Sequence, residues 1–200
     1  MDTAPIASPV GGPLNPAGGP LNEDHYRELL AATSLIRPVR RASRVATFNG
    51  WTVGVIAALS LPFAFFGLDG VAITVGLSTV CGLEFWGRRK LLRFDPAGAI
   101  WLGWNQVGFL ALIVAYCLWM LLGDVPDIRA NPELSRLLGS DGQQLYQALN
   151  LTVYGSVIVL SVIFQGGNAI YYFTRRRYLI AYQQQTAPWV REFFKIIPVV

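Results

Sequence analysis

Residues 96–123 read PAGAIWLGWNQVGFLALIVAYCLWMLLG, 28 consecutive positions without a charged side chain. A helix crosses the hydrocarbon core of a bilayer in about 20 residues. In lipid the backbone must satisfy its own polar groups, so a helix is the expected form of such a stretch. The pattern recurs on both sides. Val45 to Leu68 holds 24 residues without a charge, and Gly142 to Thr174 holds 33. A shorter apolar run at 71–87 contains Glu84, but the short polar connections around it require it to cross back. The sequence therefore predicts an all-α, polytopic membrane protein. The expected domain is a four-transmembrane-helix bundle of two hairpins over 45–174, with spans at about 45–66, 71–87, 99–122 and 151–174.

Composition agrees. Of 200 residues, 53% are hydrophobic and 14% charged, with a mean hydropathy of +0.42, which excludes an intrinsically disordered chain. Cys81 and Cys117 are too few for a disulfide scaffold and fall at different depths, so separate thiols are expected.

Working outward, residues 1–22 hold five prolines and four glycines with one charge and read as a disordered tail, with no basic-then-apolar signal peptide. Residues 23–44 read as a short cytoplasmic helix and a basic linker: Asn22 is a suitable cap, Glu23 and Asp24 favour the helix start, and Pro38 ends the run. Pro62 falls near the far end of span one, and Asp69-Gly70 predicts the tight turn after it. The outer loop, 124–150, includes a broken amphipathic segment from Pro132 that runs outside the membrane or continues into span four. Residues 175–200 form a basic segment and then an amphipathic one. Trp189, Phe193, Ile196 and Ile197 recur at helical spacing there, which suits a helix lying in the membrane interface or docking a partner.

The basic residues collect on one side. Arg27, Arg37, Arg40, Arg41 and Arg44 precede span one; Arg88, Arg89, Lys90 and Arg93 follow span two; Arg175, Arg176, Arg177, Arg191 and Lys195 follow span four. Of the 16 Lys and Arg, Arg129 and Arg136 alone fall on the other side, so both termini are expected in the cytoplasm. Arg40, Arg41, Arg44, Arg88, Arg89, Lys90, Arg175, Arg176 and Arg177 abut the spans and are expected to contact anionic lipid rather than nucleic acid. No targeting arm is apparent, and a bacterial inner membrane is the expected location.

Two further patterns concern packing. Gly50-Trp51 resembles Gly103-Trp104, and Phe85-Trp86-Gly87-Arg88 resembles Tyr172-Phe173-Thr174-Arg175, a weak parallel repeat. Gly50, Gly54 and Ala58 form a smooth strip suited to close helix approach, against span two or against a second copy. Trp51, Trp86, Trp101, Trp104, Tyr171 and Tyr172 read as an aromatic belt at the inner boundary.

Polar side chains inside the spans mark the candidate site. Asn49, Glu84, Asn105, Gln106 and Asn168 fall in the inner half of the membrane, with Gln165 nearer the middle. They belong to stripes at helical spacing: Asn49, Val53, Ile56 and Ser60; Thr74, Ser78, Cys81 and Glu84; Ser161, Gln165, Asn168 and Tyr172. Because uncompensated polar groups are costly in hydrocarbon, these stripes should face one another, either fastening the helices or lining a cytoplasm-facing cavity. Glu84, the one ionisable carboxylate within a span, has Arg88 four residues later, and a local helical pair is expected.

His25 lies outside the spans, and one histidine with two separated cysteines cannot build a Cys/His zinc site, so no metal and no cofactor is expected. P-loop, Rossmann, HExxH and GxSxG patterns are missing from the sequence, and the glycosylation-type triplet Asn150-Leu151-Thr152 abuts span four. The expectation is a non-enzymatic accessory or assembly subunit that binds the lipid bilayer and other membrane proteins or forms a homo-oligomer. The alternative is a small solute or ion transporter or channel, acting as an oligomer, with the polar cluster at its pathway.

Overall fold

A computed structural model describes residues 21–123 and 142–196. Among these residues the fold is entirely helical. We label α1 Glu23–Ser60, followed by a 3-10 turn at Leu61–Phe65, α2 Leu68–Leu92, α3 Pro96–Leu122, α4 Gly142–Gln185 and α5 Pro188–Ile196. The first four are long and apolar enough to cross a membrane, which makes the chain an integral membrane protein by length and composition. Expectations for the tail at 1–20 and for the outer loop at 124–141 lie outside the described residues.

The helices follow one another around the bundle, α1 on α2, α2 on α3, α3 on α4, with α4 returning to α1. The outsides stay apolar, because a helix in lipid gains nothing by hiding its Leu and Val; Leu59, Trp119, Ile163 and Phe164 are all exposed. Three buried clusters fill the inside. One joins Val39, Ala42 and Ala46 of α1 to Leu91, Leu102, Tyr172 and Leu179. A second joins Val53 and Ala57 of α1 to Leu77, Val80 and Phe109, with nothing from α4. The third joins Ala32 and Ile36 to Tyr182, Val190 and Phe194.

The separate helix expected at 23–44 does not exist: α1 runs unbroken through Pro38. A proline inside a helix loses one backbone bond and costs about 3 kcal/mol. Here the buried face continues without a phase change on both sides of it, from Ala32 and Ile36 to Val39, Ser43 and Ala46. Packing on α4 and α5 thus holds the helix where propensity would end it. The start is as expected. Asn22 Oδ1 accepts the His25 backbone N–H at 2.9 Å, and the Asn22 N–H donates to His25 Nδ1 at 3.3 Å, closing a reciprocal cap.

The turn expected at Asp69-Gly70 is displaced too. The chain reverses earlier, and both residues already lie in the first turn of α2. Gly70 is needed for close approach instead: a Cβ there would stand 2.0 Å from the Phe63 carbonyl oxygen. The Gly50/Gly54 strip seats α2, since added Cβ atoms would meet the Phe85 ring and Cys81 Sγ at 3.1 Å, whereas Ala58 is exposed. Both cysteines are free thiols.

The sequence repeat has a three-dimensional counterpart. Trp51 of α1 meets Phe85 of α2 edge-on at 6.1 Å, and Trp104 of α3 meets Phe173 of α4 edge-on at 6.0 Å. In each case the preceding glycine, Gly50 or Gly103, faces the same phenylalanine ring. The matching partners are Phe85 and Phe173, one residue out of register with the sequence comparison, so Glu84 and Tyr172 hold equivalent positions.

Between α2 and α3 the chain turns through Arg93, Phe94 and Asp95. The Asp95 N–H donates to the Lys90 carbonyl and the Phe94 N–H to that of Leu91, a helix ending that usually places glycine in the left-handed position. Phe94 takes it instead, at φ 56°. What holds it there is its ring, 4.7 Å from that of Tyr182, and its carbonyl, which accepts from Gln183 Nε2 at 3.1 Å. Asp95 caps α3 through the Ala97 N–H at 2.9 Å.

The C-terminal segment does not lie free. Its Trp189 Nε1–H donates to Glu28 Oε2 at 2.8 Å, and Val190 and Phe194 are buried against α1 and α4. The buried face is thus one position on from the expected Trp189, Phe193 and Ile196, of which the last two remain exposed.

Candidate functional site

A buried polar network ties all four long helices together. α2 buries Thr74, Leu77, Val80, Glu84, Gly87 and Leu91 at intervals of three or four residues, and this rotation aims Glu84 inward. α3 presents Asn105 and Gln106 to the same interior. Glu84 is 0% exposed, Gln106 2% and Asn105 6%.

Glu84 Oε1 is the hub. It accepts from Asn105 Nδ2 at 3.0 Å and from Gln106 Nε2, while Asn105 Nδ2 also reaches the Val80 carbonyl at 3.2 Å. The Tyr172 hydroxyl of α4 lies near the carboxylate, without hydrogen-bond geometry to it. From α1, Asn49 Nδ2 donates to the Tyr172 hydroxyl at 3.3 Å. Two buried oxygens, Glu84 Oε2 and Gln106 Oε1, have no partner with hydrogen-bond geometry.

The local pair expected between Glu84 and Arg88 is not formed. The ion pairs among the described residues are Arg27 with Glu23 and Asp24, and Lys90 with Asp95. The reason is rotational. Reaching Arg88 along the helix surface would draw Glu84 away from the α3 amides, which hold it inside. Without a cation, the contacts at the carboxylate are amide and phenol groups, suited to binding one acidic side chain firmly.

Four of the six expected cluster residues are thus joined: Glu84, Asn105 and Gln106 directly, and Asn49 through Tyr172. Gln165 and Asn168 are not. Both are half-buried on α4, and among the described residues neither finds a hydrogen-bond partner. The α1 stripe also departs from the interior, since Ile56 is 47% exposed, and Ser78 of the α2 stripe faces outward.

Tyr172 is the main addition. Its sequence context, next to Tyr171 and close to arginines, favours a place in the aromatic belt, yet it is 0% exposed. Its other signal, the spacing of four from Asn168, points inward and is the correct one. Of the other residues read as a belt, Trp51, Trp86, Trp101 and Trp104 are exposed and Tyr171 is half-buried.

Among the described residues, Arg40, Arg44, Arg88, Arg93 and Arg191 come together around one cavity, Lys90 Nζ lies 4.3 Å from the centre of the Trp86 ring, and the Arg175 guanidinium lies 4.2 Å from that of Tyr171. Arg41, Arg89, Arg176 and Arg177 are exposed. No family model matches the chain, and no curated protein or solved structure matches it either.

Proposed function

We propose that this chain is a non-enzymatic integral membrane protein acting as an accessory or assembly subunit. In this reading the four helices form two hairpins with both termini on the cytoplasmic side of a bacterial inner membrane. The partners are other membrane proteins or a second copy. The observation that carries the reading is the complete burial of Glu84 with its acceptor oxygen occupied by α3 amides. A carboxylate so placed fastens helices, and a bundle fastened from within leaves its apolar outside for lipid and partners. The exposed Phe193 and Ile196 of α5 would add an apolar edge at the membrane interface.

Extraction in mild detergent should recover the chain with a stoichiometric membrane partner or as a defined homo-oligomer. A strictly monomeric chain that binds nothing would overturn the assignment. The orientation has its own test. Engineered cysteines between Asp127 and Gln143 should react with an impermeant maleimide added to intact cells, and cysteines at Ser8 or Gln184 should not. Labelling at either terminus would refute the arrangement.

A second reading, a small solute or ion transporter, draws on the unpartnered Gln165 and Asn168 amides and the orphan Glu84 Oε2. It requires flux of protons or common cations in vesicles reconstituted with the wild type, and loss of that flux in Glu84→Gln.

A further inference from the structure

An open-sided cavity of about 1290 Å³ lies between α1, the end of α2, the Phe94 turn and α5. Five guanidinium groups line it: Arg40 and Arg44 from α1, Arg88 from α2, Arg93 from the turn and Arg191 from α5. They are set against a single lining carboxylate, that of Glu192. The ion pairs among the described residues involve none of the five. Lining arginines Arg88 and Arg191 each keep a buried Nε–H without a partner, and the Tyr182 hydroxyl in the same wall is likewise buried and unpartnered. Those three atoms are closed to water, so what the cavity offers an oxygen-rich acceptor is the remaining donors of its five guanidinium groups.

The chemistry of that acceptor follows from its surroundings. Guanidinium groups are planar forks that match phosphate oxygens two at a time, and several converging on one space favour an anion. The other walls are apolar, formed by Val39, Leu91, Phe94, Trp189 and Phe194. The volume far exceeds a bare phosphate and suits a drug-sized or larger molecule. In the membrane arrangement proposed above, the cavity falls at the level of lipid headgroups.

We propose that this cavity binds a phosphate group, carried into it as the headgroup of an anionic phospholipid. Phosphate oxygens take the guanidinium groups of Arg88 and Arg191, Arg40 and Arg44 close the charge, and the glycerol and first acyl carbons lie along Phe94 and Leu91. Such a site would serve an accessory subunit and a transporter alike. It also accounts for the strained Phe94, whose ring, pinned on Tyr182, builds the apolar wall.

The test uses the full-length protein in a neutral detergent, titrated with phosphatidylglycerol, phosphatidylcholine or inorganic phosphate. Retained lipid is read by native mass spectrometry and stabilisation by thermal unfolding. Phosphatidylglycerol should bind and stabilise, and phosphatidylcholine should not. Arg88→Gln and Arg191→Gln should each weaken phosphatidylglycerol binding about tenfold, the loss expected for one charge-assisted hydrogen bond. The exposed Arg37→Gln, outside the cavity and not among the arginines expected to contact lipid, should leave it unchanged. If Arg88→Gln fails to fold, Arg191→Gln on α5 reads the same site. Stabilisation by inorganic phosphate alone, lost in the same variants, supports the phosphate site with a free anion as its ligand. Phosphatidylglycerol binding that survives in the cavity variants, or equal retention of phosphatidylcholine, overturns the assignment.

Discussion

Replacing Tyr172 by alanine is expected to destabilise the bundle by about 3 to 5 kcal/mol, the range for removing a large aromatic side chain from a packed interior. The ring is 0% exposed and sits in the cluster that joins α1, α2, α3 and α4, so no neighbouring element can collapse into the gap without moving a helix. Tyr172→Phe keeps the ring and removes only the hydroxyl that meets Asn49 and lies near the Glu84 carboxylate, and should cost about 1 kcal/mol. The measurement is reversible unfolding in mixed micelles for both variants. A Tyr172→Ala protein as stable as the wild type would mean that the side chain faces lipid, like the exposed tryptophans near it.

The second large effect belongs to Glu84. Glu84→Ala removes the acceptor shared by Asn105 and Gln106 and leaves a cavity at the centre of four helices. A single intramembrane hydrogen bond averages about 0.6 kcal/mol, but two stranded donors and an unfilled space together should cost about 2 to 4 kcal/mol. Glu84→Gln is the control. It keeps an acceptor oxygen for the two amides and supplies an N–H on the side of the orphan Oε2, so it should stay within about 1 kcal/mol of the wild type. If Glu84→Gln is as damaging as Glu84→Ala, charge rather than hydrogen-bond shape holds the network. If Glu84→Ala is neutral, the network does not fasten the helices. The paired variant Glu84→Gln/Tyr172→Phe measures their coupling, which should vanish if the phenol and the carboxylate do not touch.

Whatever depends on length and on obligatory backbone satisfaction can be read along the chain. An uncharged run such as 96–123 has helix as its available form in lipid, and three such runs, with the shorter apolar run at 71–87 that holds Glu84, account for four long helices. Local chemistry was equally legible. Asn22 caps α1, the Gly50/Gly54 strip seats a neighbouring helix, and Glu84, Asn105 and Gln106 stand at matching depths. Rotation about a helix axis and partners distant in sequence are fixed only when the helices pack. Periodicity could not tell whether Glu84 would turn to Arg88, four residues along, or to α3, because both choices satisfy a helical spacing; the interior amides of α3 settle it. Tyr172 carried both a belt signal and a stripe signal, and only the arrival of Asn49 from α1 and Glu84 from α2 gives its hydroxyl a place inside. Pro38 would end an isolated helix, yet the burial of Ile36 and Val39 on either side of it, against α4, α5 and the end of α2, outweighs one missing backbone bond. The arginine-lined cavity is the furthest from the sequence, since it exists only where α5 folds back to bring Arg191 opposite Arg88, 103 positions earlier in the chain.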